Sequence, residues 1–138
     1  MQIRLEIARI IITEMNPEQV IMLREANGVR EFPIVIGIFE ATAIDRKVKG
    51  NPPTRRPLTH DLLCNTIEVL GGTIRDVYIH RLEEETYFAS LRVLRGDELI
   101  EIDSRPSDAI AVAVSFDPWL PIFIEEDALD KAVRATNE

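Results

Sequence analysis

Residues 109–114, Ala-Ile-Ala-Val-Ala-Val, offer no polar face, so a helix built from them must be covered on most sides. That demand excludes a simple surface helix and calls for a layered fold. The run follows Pro106, whose fixed φ and missing N–H suit a first helical turn. Before and within that turn stand Ile102-Asp103-Ser104-Arg105-Pro106-Ser107-Asp108, which gather two carboxylates, two hydroxyls and a guanidinium at the mouth of a buried element. A carboxylate at the positive end of such a helix is favoured by the dipole and can hold a proton or a metal. The structural counterpart is a plain capped start, with Asp103 or Ser104 as the cap.

The covering layers are legible in the periodicity. Ile3, Leu5 and Ile7 alternate with Gln2, Arg4 and Glu6, which predicts a half-buried strand over residues 2–12. Apolar runs at 20–24 and 29–35 flank Glu25-Ala26-Asn27-Gly28, and Asn-Gly predicts a tight antiparallel hairpin. Residues 36–44 then read as a short buried helix whose only charge before Asp45 is Glu40. A second helix is expected from 57 or 59 to 70, ended by Gly71-Gly72. Strands follow at 73–81, 86–94 and 98–102, then the buried helix from 105 to 116. A short strand at 120–124 and an amphipathic helix at 125–135, using Leu129, Ala132 and Val133, complete the pattern.

The chain's 138 residues suggest a single domain over 1–138. Segments 1–45 and 73–116 share one order, strands and then a helix with a carboxylate near its start, which predicts a duplicated β-β-β-α unit. The expected class is α+β, with antiparallel-rich sheets packed around buried helices and a C-terminal amphipathic helix. Residues 136–138 are expected to be disordered. A pseudo-twofold between the halves would bring Glu40 and Asp108 to one cleft.

Cys64 stands alone, so no intrachain disulfide can form; it falls beside Leu63 in a helical pattern and reads as a buried thiol. With only His60 and His80, a histidine-rich zinc site is excluded. The start resembles no signal peptide and no long apolar run follows, so the expectation is a cytoplasmic protein without a membrane partner. Net charge is −8, which would repel a polyanion at long range. Residues 46–56, however, hold Arg46, Lys47, Lys49, Arg55 and Arg56 and no acidic group. Such a segment is either a solvated loop or a place where an acidic body receives DNA or RNA.

The chain has no phosphate-binding glycine loop, no dinucleotide fingerprint, no His-Glu-x-x-His pair and no nucleophile elbow. Ser104 or Ser107 with His60 offers a nucleophile and a base by residue type alone. The remaining constellation is Glu40, Asp61, Asp103 and Asp108 with His60, Arg56 and Arg105. Phosphodiester hydrolysis uses such a set: carboxylates for Mg²⁺ or a similar divalent cation, an activated water, and cations facing phosphate oxygens. On that chemistry Glu40, His60, Asp61, Asp103 and Asp108 are candidate catalytic residues, with Glu40, Asp103 and Asp108 as the metal set. Arg46, Lys47, Lys49, Arg55, Arg56, Arg105, Ser104 and Ser107 are candidates for nucleic-acid contact. Each also has a structural role available: Asp108 as a backbone acceptor, His60 as filler of a helical turn, Arg105 as the partner of Asp103. A non-catalytic module that self-associates and binds an anionic ligand or a protein partner is the competing reading.

Three stretches carry a family resemblance: Gly37-Ile38-Phe39-Glu40-Ala41, Arg56-Pro57-Leu58-Thr59-His60-Asp61-Leu62-Leu63, and Asp103-Ser104-Arg105-Pro106-Ser107-Asp108-Ala109-Ile110-Ala111. Together they resemble the bifunctional nuclease family over roughly residues 3–126. The resemblance implies a compact α+β fold with duplicated strands, self-association, here expected as a dimer, and degradation of both DNA and RNA. It also implies a small cytosolic protein, expected here without the additional C-terminal helical segment of some members. It assigns no catalytic residues, so the site candidates rest on the motif chemistry above.

Overall fold

Alternating strands and an apolar helix resolve, in a computed structural model that describes residues 1–13 and 15–137, into one sheet curled around its helices. The first meander is β1 (Gln2–Ile11), β2 (Glu18–Glu25) and β3 (Glu31–Gly37), followed by α1 (Ile38–Val48) and α2 (Thr59–Val69). The second is β4 (Thr73–Glu83), β5 (Thr86–Arg95) and β6 (Glu98–Ser104), followed by α3 (Pro106–Ala113), β7 (Ile122–Glu125) and α4 (Glu126–Thr136). The order across the seven-stranded sheet is β3-β2-β1-β7-β4-β5-β6. Each meander thus grows outward from β7, and the duplicated β-β-β-α order appears as two halves of one sheet rather than as separate sheets. All neighbours are antiparallel except β4 and β7.

The inner face carries Leu5, Ile21, Leu23, Phe32, Ile34, Val77, Ile79, Ala89 and Leu91, all buried. Against it packs α3, with Ala109 to Ala113 at 1% exposure or less, flanked by α1 and α2. The Phe32 and Tyr87 rings stack with centroids 6.0 Å apart, although β3 and β5 lie five places apart in the sheet. A flat sheet would hold such strands roughly 24 Å apart. The sheet therefore curls, because a helix with no polar side is satisfied only by being wrapped. In α4 the apolar stripe Ala128, Leu129 and Ala132 is buried. No helix among the described residues is long and apolar enough to cross a membrane.

Several local expectations are corrected. Asn27-Gly28 does not form a two-residue hairpin: β2 and β3 are joined by residues 26–30, closed by the Glu25 N–H donating to the Arg30 carbonyl at 3.0 Å and by a Glu25–Arg30 ion pair. Val29 is consequently 90% exposed instead of lying in a strand. Two-residue turns lie at Glu84-Glu85, where both residues take positive φ, 47° and 71°, and at Gly96-Asp97, within the expected tight turn Arg95-Gly96-Asp97. The first helix starts later and ends later than expected. It runs to Val48 because Lys49 pairs with Asp45 at 2.9 Å and Arg46 and Lys47 sit at the negative end of the dipole. It is not a buried helix either: only Ala41 and Ile44 are buried, and Phe39 is 85% exposed. The cap of α3 is Arg105, without a side-chain bond, so neither Asp103 nor Ser104 serves. Of the tail expected to lack order, Thr136 ends α4 and Asn137 caps it, while Glu138 lies outside the described residues.

The outer face holds a buried ion pair. Asp76 and Arg92 sit opposite one another across β4 and β5, with 2.5 Å between Oδ1 and Nε. Arg92 also donates to the Gln2 amide oxygen at 2.9 Å and lies over the Tyr78 ring, while Tyr78 donates to Glu125 at 2.7 Å. Removing one member leaves a desolvated charge. Asp76→Ala should cost about 3 kcal/mol of stability in urea unfolding, and a loss near zero would show that Arg92 finds water instead.

Candidate active site

Three helices begin at the same end of the molecule, and the third position of each is a carboxylate: Glu40 in α1, Asp61 in α2 and Asp108 in α3. The positive end of each helix favours an anion there. Asp61 serves its own helix, accepting the Leu58 N–H at 3.0 Å, and pairs with Lys47 at 3.2 Å. Glu40 and Asp108 face each other instead, with Arg105 between them. One guanidinium nitrogen of Arg105 lies 2.6 Å from Glu40 Oε1 and 2.7 Å from Asp108 Oδ2, and Arg105 Nε reaches the same Asp108 oxygen at 3.0 Å. The other Asp108 oxygen is 3.0 Å from His60 Nε2. Glu40, His60, Arg105 and Asp108 are therefore one connected cluster drawn from both halves of the chain. Arg105 spreads outward at 66% exposure while the Glu40 side chain is sheltered at 13%.

Burial pushes the Asp108 carboxyl up, but the hydrogen bonds from His60 and Arg105 outweigh it, so its pKa lies below the usual value. Asp108 is thus ionised near neutrality and can only accept, which obliges His60 Nε2 to carry a hydrogen. A neutral His60 then presents a bare lone pair at Nδ1. Among the described residues that nitrogen has no hydrogen-bond partner and no side-chain nitrogen or oxygen is both buried and unpartnered, so Nδ1 reaches solvent. The arrangement is a base with its proton-bearing side anchored. The hydrogen bonds from Arg105 to Asp108 and to Glu40 also raise the pKa of the guanidinium.

The remaining candidates lie elsewhere. Asp103 belongs to β6, opposite Ser90, and is exposed. Strand alternation puts it on the face away from Ile100, which packs on the core, so it cannot join Glu40 and Asp108 beneath the helices. Nor is it the partner of Arg105. The three-carboxylate metal set is therefore not assembled, and among the described residues no three of His, Cys, Asp and Glu are grouped to hold an ion. The donors do not fit a divalent ion in this arrangement: the cation between the two remaining carboxylates is Arg105. The Ser104 hydroxyl donates to the Arg105 carbonyl at 2.8 Å. Cys64 is buried, its thiol pushed up to about 11 by desolvation, and is chemically quiet.

The basic segment splits. Arg46 and Lys47 occupy the last turn of α1, with Arg46 donating to the Pro52 carbonyl at 2.8 Å. Lys49 is held by Asp45, and Arg55 and Arg56 make no ion pair among the described residues. A groove of about 430 Å³ runs between α1 and α2, lined by Arg46, Lys47, Arg55, Leu58 and Asp61. Gly37, quoted above only for the family resemblance, lies against the site: a Cβ there would come within 2.5 Å of a Glu40 carboxylate oxygen, and that flexible side chain would have to shift.

A family model described as the bifunctional nuclease domain matches residues 21–137. An uncharacterized protein of Mycobacterium tuberculosis is 40% identical over 121 residues, covering 88% of this chain and 70% of that protein. A protein named bifunctional nuclease 2, from Oryza sativa subsp. japonica, is 31% identical over 107 residues, 75% of this chain and 33% of its own length. Bifunctional nuclease 1 of Arabidopsis thaliana is 26% identical over 106 residues, again 33% of its length.

The lowered pKa of Asp108 has a pH signature. A carboxyl whose folded pKa is depressed contributes stability that is fully present above its unfolded pKa, about 3.9, and is lost as pH falls through the folded value. Urea unfolding measured from neutral pH downward should therefore decline more steeply below pH about 4 in the wild type than in Asp108→Asn. Parallel declines would mean that His60 and Arg105 do not hold the carboxylate.

Proposed function

Because this chain belongs to the bifunctional nuclease domain family, we propose that it hydrolyses phosphodiester bonds in DNA and RNA at the cluster of Glu40, His60, Arg105 and Asp108. The observation that carries this is the His60–Asp108 contact of 3.0 Å, which fixes the imidazole and leaves Nδ1 open. His60 takes a proton from the attacking water, and the anionic Asp108 stabilises the imidazolium that forms. Arg105, mostly exposed, turns its free N–H groups to the charge that develops on phosphate oxygens. Glu40 keeps Arg105 in place. No step is routed through a divalent ion, since Arg105 stands where one would bind.

The body of the protein is acidic, so a strand is drawn in along one line only. Arg55, with Arg46 and Lys47, lines the groove between α1 and α2, and Arg55 and Arg56 make no ion pair among the described residues, so on this reading the groove is the entry for the strand's phosphates. Contacts of this kind are to phosphate and carry no sequence information, which agrees with a nuclease accepting both nucleic acids. The rival reading is a non-catalytic module that self-associates and binds an anionic ligand or a protein partner through the same pocket; of the structural roles it gave to Asp103, Ser104 and Asp108, capping of α3 by Asp103 or Ser104 is not what the helix start shows.

Purified wild type and His60→Ala should be compared on single-stranded DNA and RNA, with Mg²⁺ and with a chelator. The variant should lose about 100-fold or more in rate under both conditions. A variant as active as wild type would remove His60 from the mechanism, and wild-type activity that only Mg²⁺ restores would transfer the step to a metal.

Self-association belongs to the same reading. On α2, Leu62, Val69 and Leu70 are 60%, 84% and 74% exposed, an apolar stripe larger than a lone surface residue. Light scattering of the purified protein should return a dimer, and a monomer mass would remove this part.

A further inference from the structure

A second groove opens beside the cluster, and the curl of the sheet creates it. With β3 at one edge and β5 near the other brought together over α3, a space of about 400 Å³ remains between them. Its apolar walls include Pro17, Val35, Pro106 and Tyr87, and Arg105 lies on its border. Whatever occupies the groove therefore sits next to the guanidinium that touches Glu40 and Asp108.

Apart from Arg105 the charged groups here are acidic, and the Ser107 and Thr86 hydroxyls can accept as well as donate. Ser107 is 6% exposed and lines the groove, and its hydroxyl, without a hydrogen-bond partner among the described residues, opens to solvent there. Glu18 and Glu85 also line the groove, and neither makes an ion pair among the described residues. Glu85 is held in the left-handed region, at φ 71°. The one cation bordering the groove, Arg105, is already shared by two carboxylates. A phosphate would be repelled from this space. A flat, largely apolar group that donates hydrogen bonds would be accepted.

We propose that this groove receives a nucleobase bearing an exocyclic amino group, adenine, cytosine or guanine, from an unpaired stretch of the strand held at the cluster. The inference rests on the nuclease reading above and narrows its substrate class. In a duplex those amino groups are engaged in pairing and the base faces are stacked, so only an unpaired base can present its edge to Ser107, Glu18 and Glu85. Uracil and thymine carry a carbonyl oxygen where cytosine has its amino group, which sets an acceptor against the carboxylates and leaves the ring N3–H as their one donor. The strand's phosphates remain on the other side of Arg105, towards Arg55 and Arg56.

Fluorescence anisotropy with labelled oligo-dC and oligo-dT of equal length tests this, since their phosphates, and hence the basic contacts, are identical. Wild type should bind oligo-dC about two- to tenfold more tightly than oligo-dT, and bind a duplex of the same length more weakly than oligo-dC. The dC preference should shrink in Ser107→Ala and in Glu18→Ala, the second being a surface change that spares the core. Equal affinity for the two oligomers in wild type, or a preference unchanged in both variants, overturns the proposal. Cleavage assayed on the same oligomers separates the two ideas. Discrimination without cleavage by any preparation upholds the groove and fails the nuclease reading; cleavage without discrimination does the reverse.

Discussion

An eight-residue helix without a polar side dictates most of this architecture. Because α3 must be wrapped, the sheet curls until Phe32 at one end meets Tyr87 near the other. The curl has a chemical result: it carries the entrance of α1, from the first meander, to the entrance of α3, from the second. Glu40 and Asp108 then lie against one guanidinium although 68 positions separate them in the chain, and His60 closes the group from α2. Burying apolar surface, a term without direction, thereby sets the spacing of groups whose work depends on direction.

Charge is distributed with the same economy. The three helix entrances each place an acid where the dipole favours one, yet the acids have different uses. Asp61 satisfies a backbone amide and a lysine, so its carboxylate is committed to holding α1 and α2 together. Asp108 is committed to His60 and Arg105, an orientation task. What separates them is the neighbour: a lysine from α1 beside one, an imidazole and a guanidinium beside the other.

The side of the sheet turned away from the helices has its own polar core, in which Asp76, Arg92, Gln2, Tyr78 and Glu125 form an unbroken chain of contacts. It ties β1, β4, β5 and β7 across the middle of the sheet, where β7 has only four residues to join two much longer strands. Nothing in the periodicity of β4 or β5 pointed to it. Asp76 falls at a register shift between Ile74 and Asp76, which turns an acid towards a position that strict alternation would have assigned differently.

Local physics was readable from the chain alone. Period-two alternation located the strands and the apolar run after Pro106 located the buried helix, because these depend on neighbours within a few positions, and the β-β-β-α order occurs twice along the chain. The sequence also pointed to Glu40, His60, Arg105 and Asp108 by residue type. It equally pointed to Asp103, and only the tertiary structure set that residue apart, since one step along a strand reverses the face to which a side chain belongs. The hairpin around Asn27-Gly28 does form, with β2 and β3 antiparallel, but the Glu25–Arg30 pair closes a wider loop than the turn propensity favours. Residue identity supplied the chemical groups, whereas their partners were decided by the curl of the sheet, a property of the whole packed chain that no short window of sequence contains.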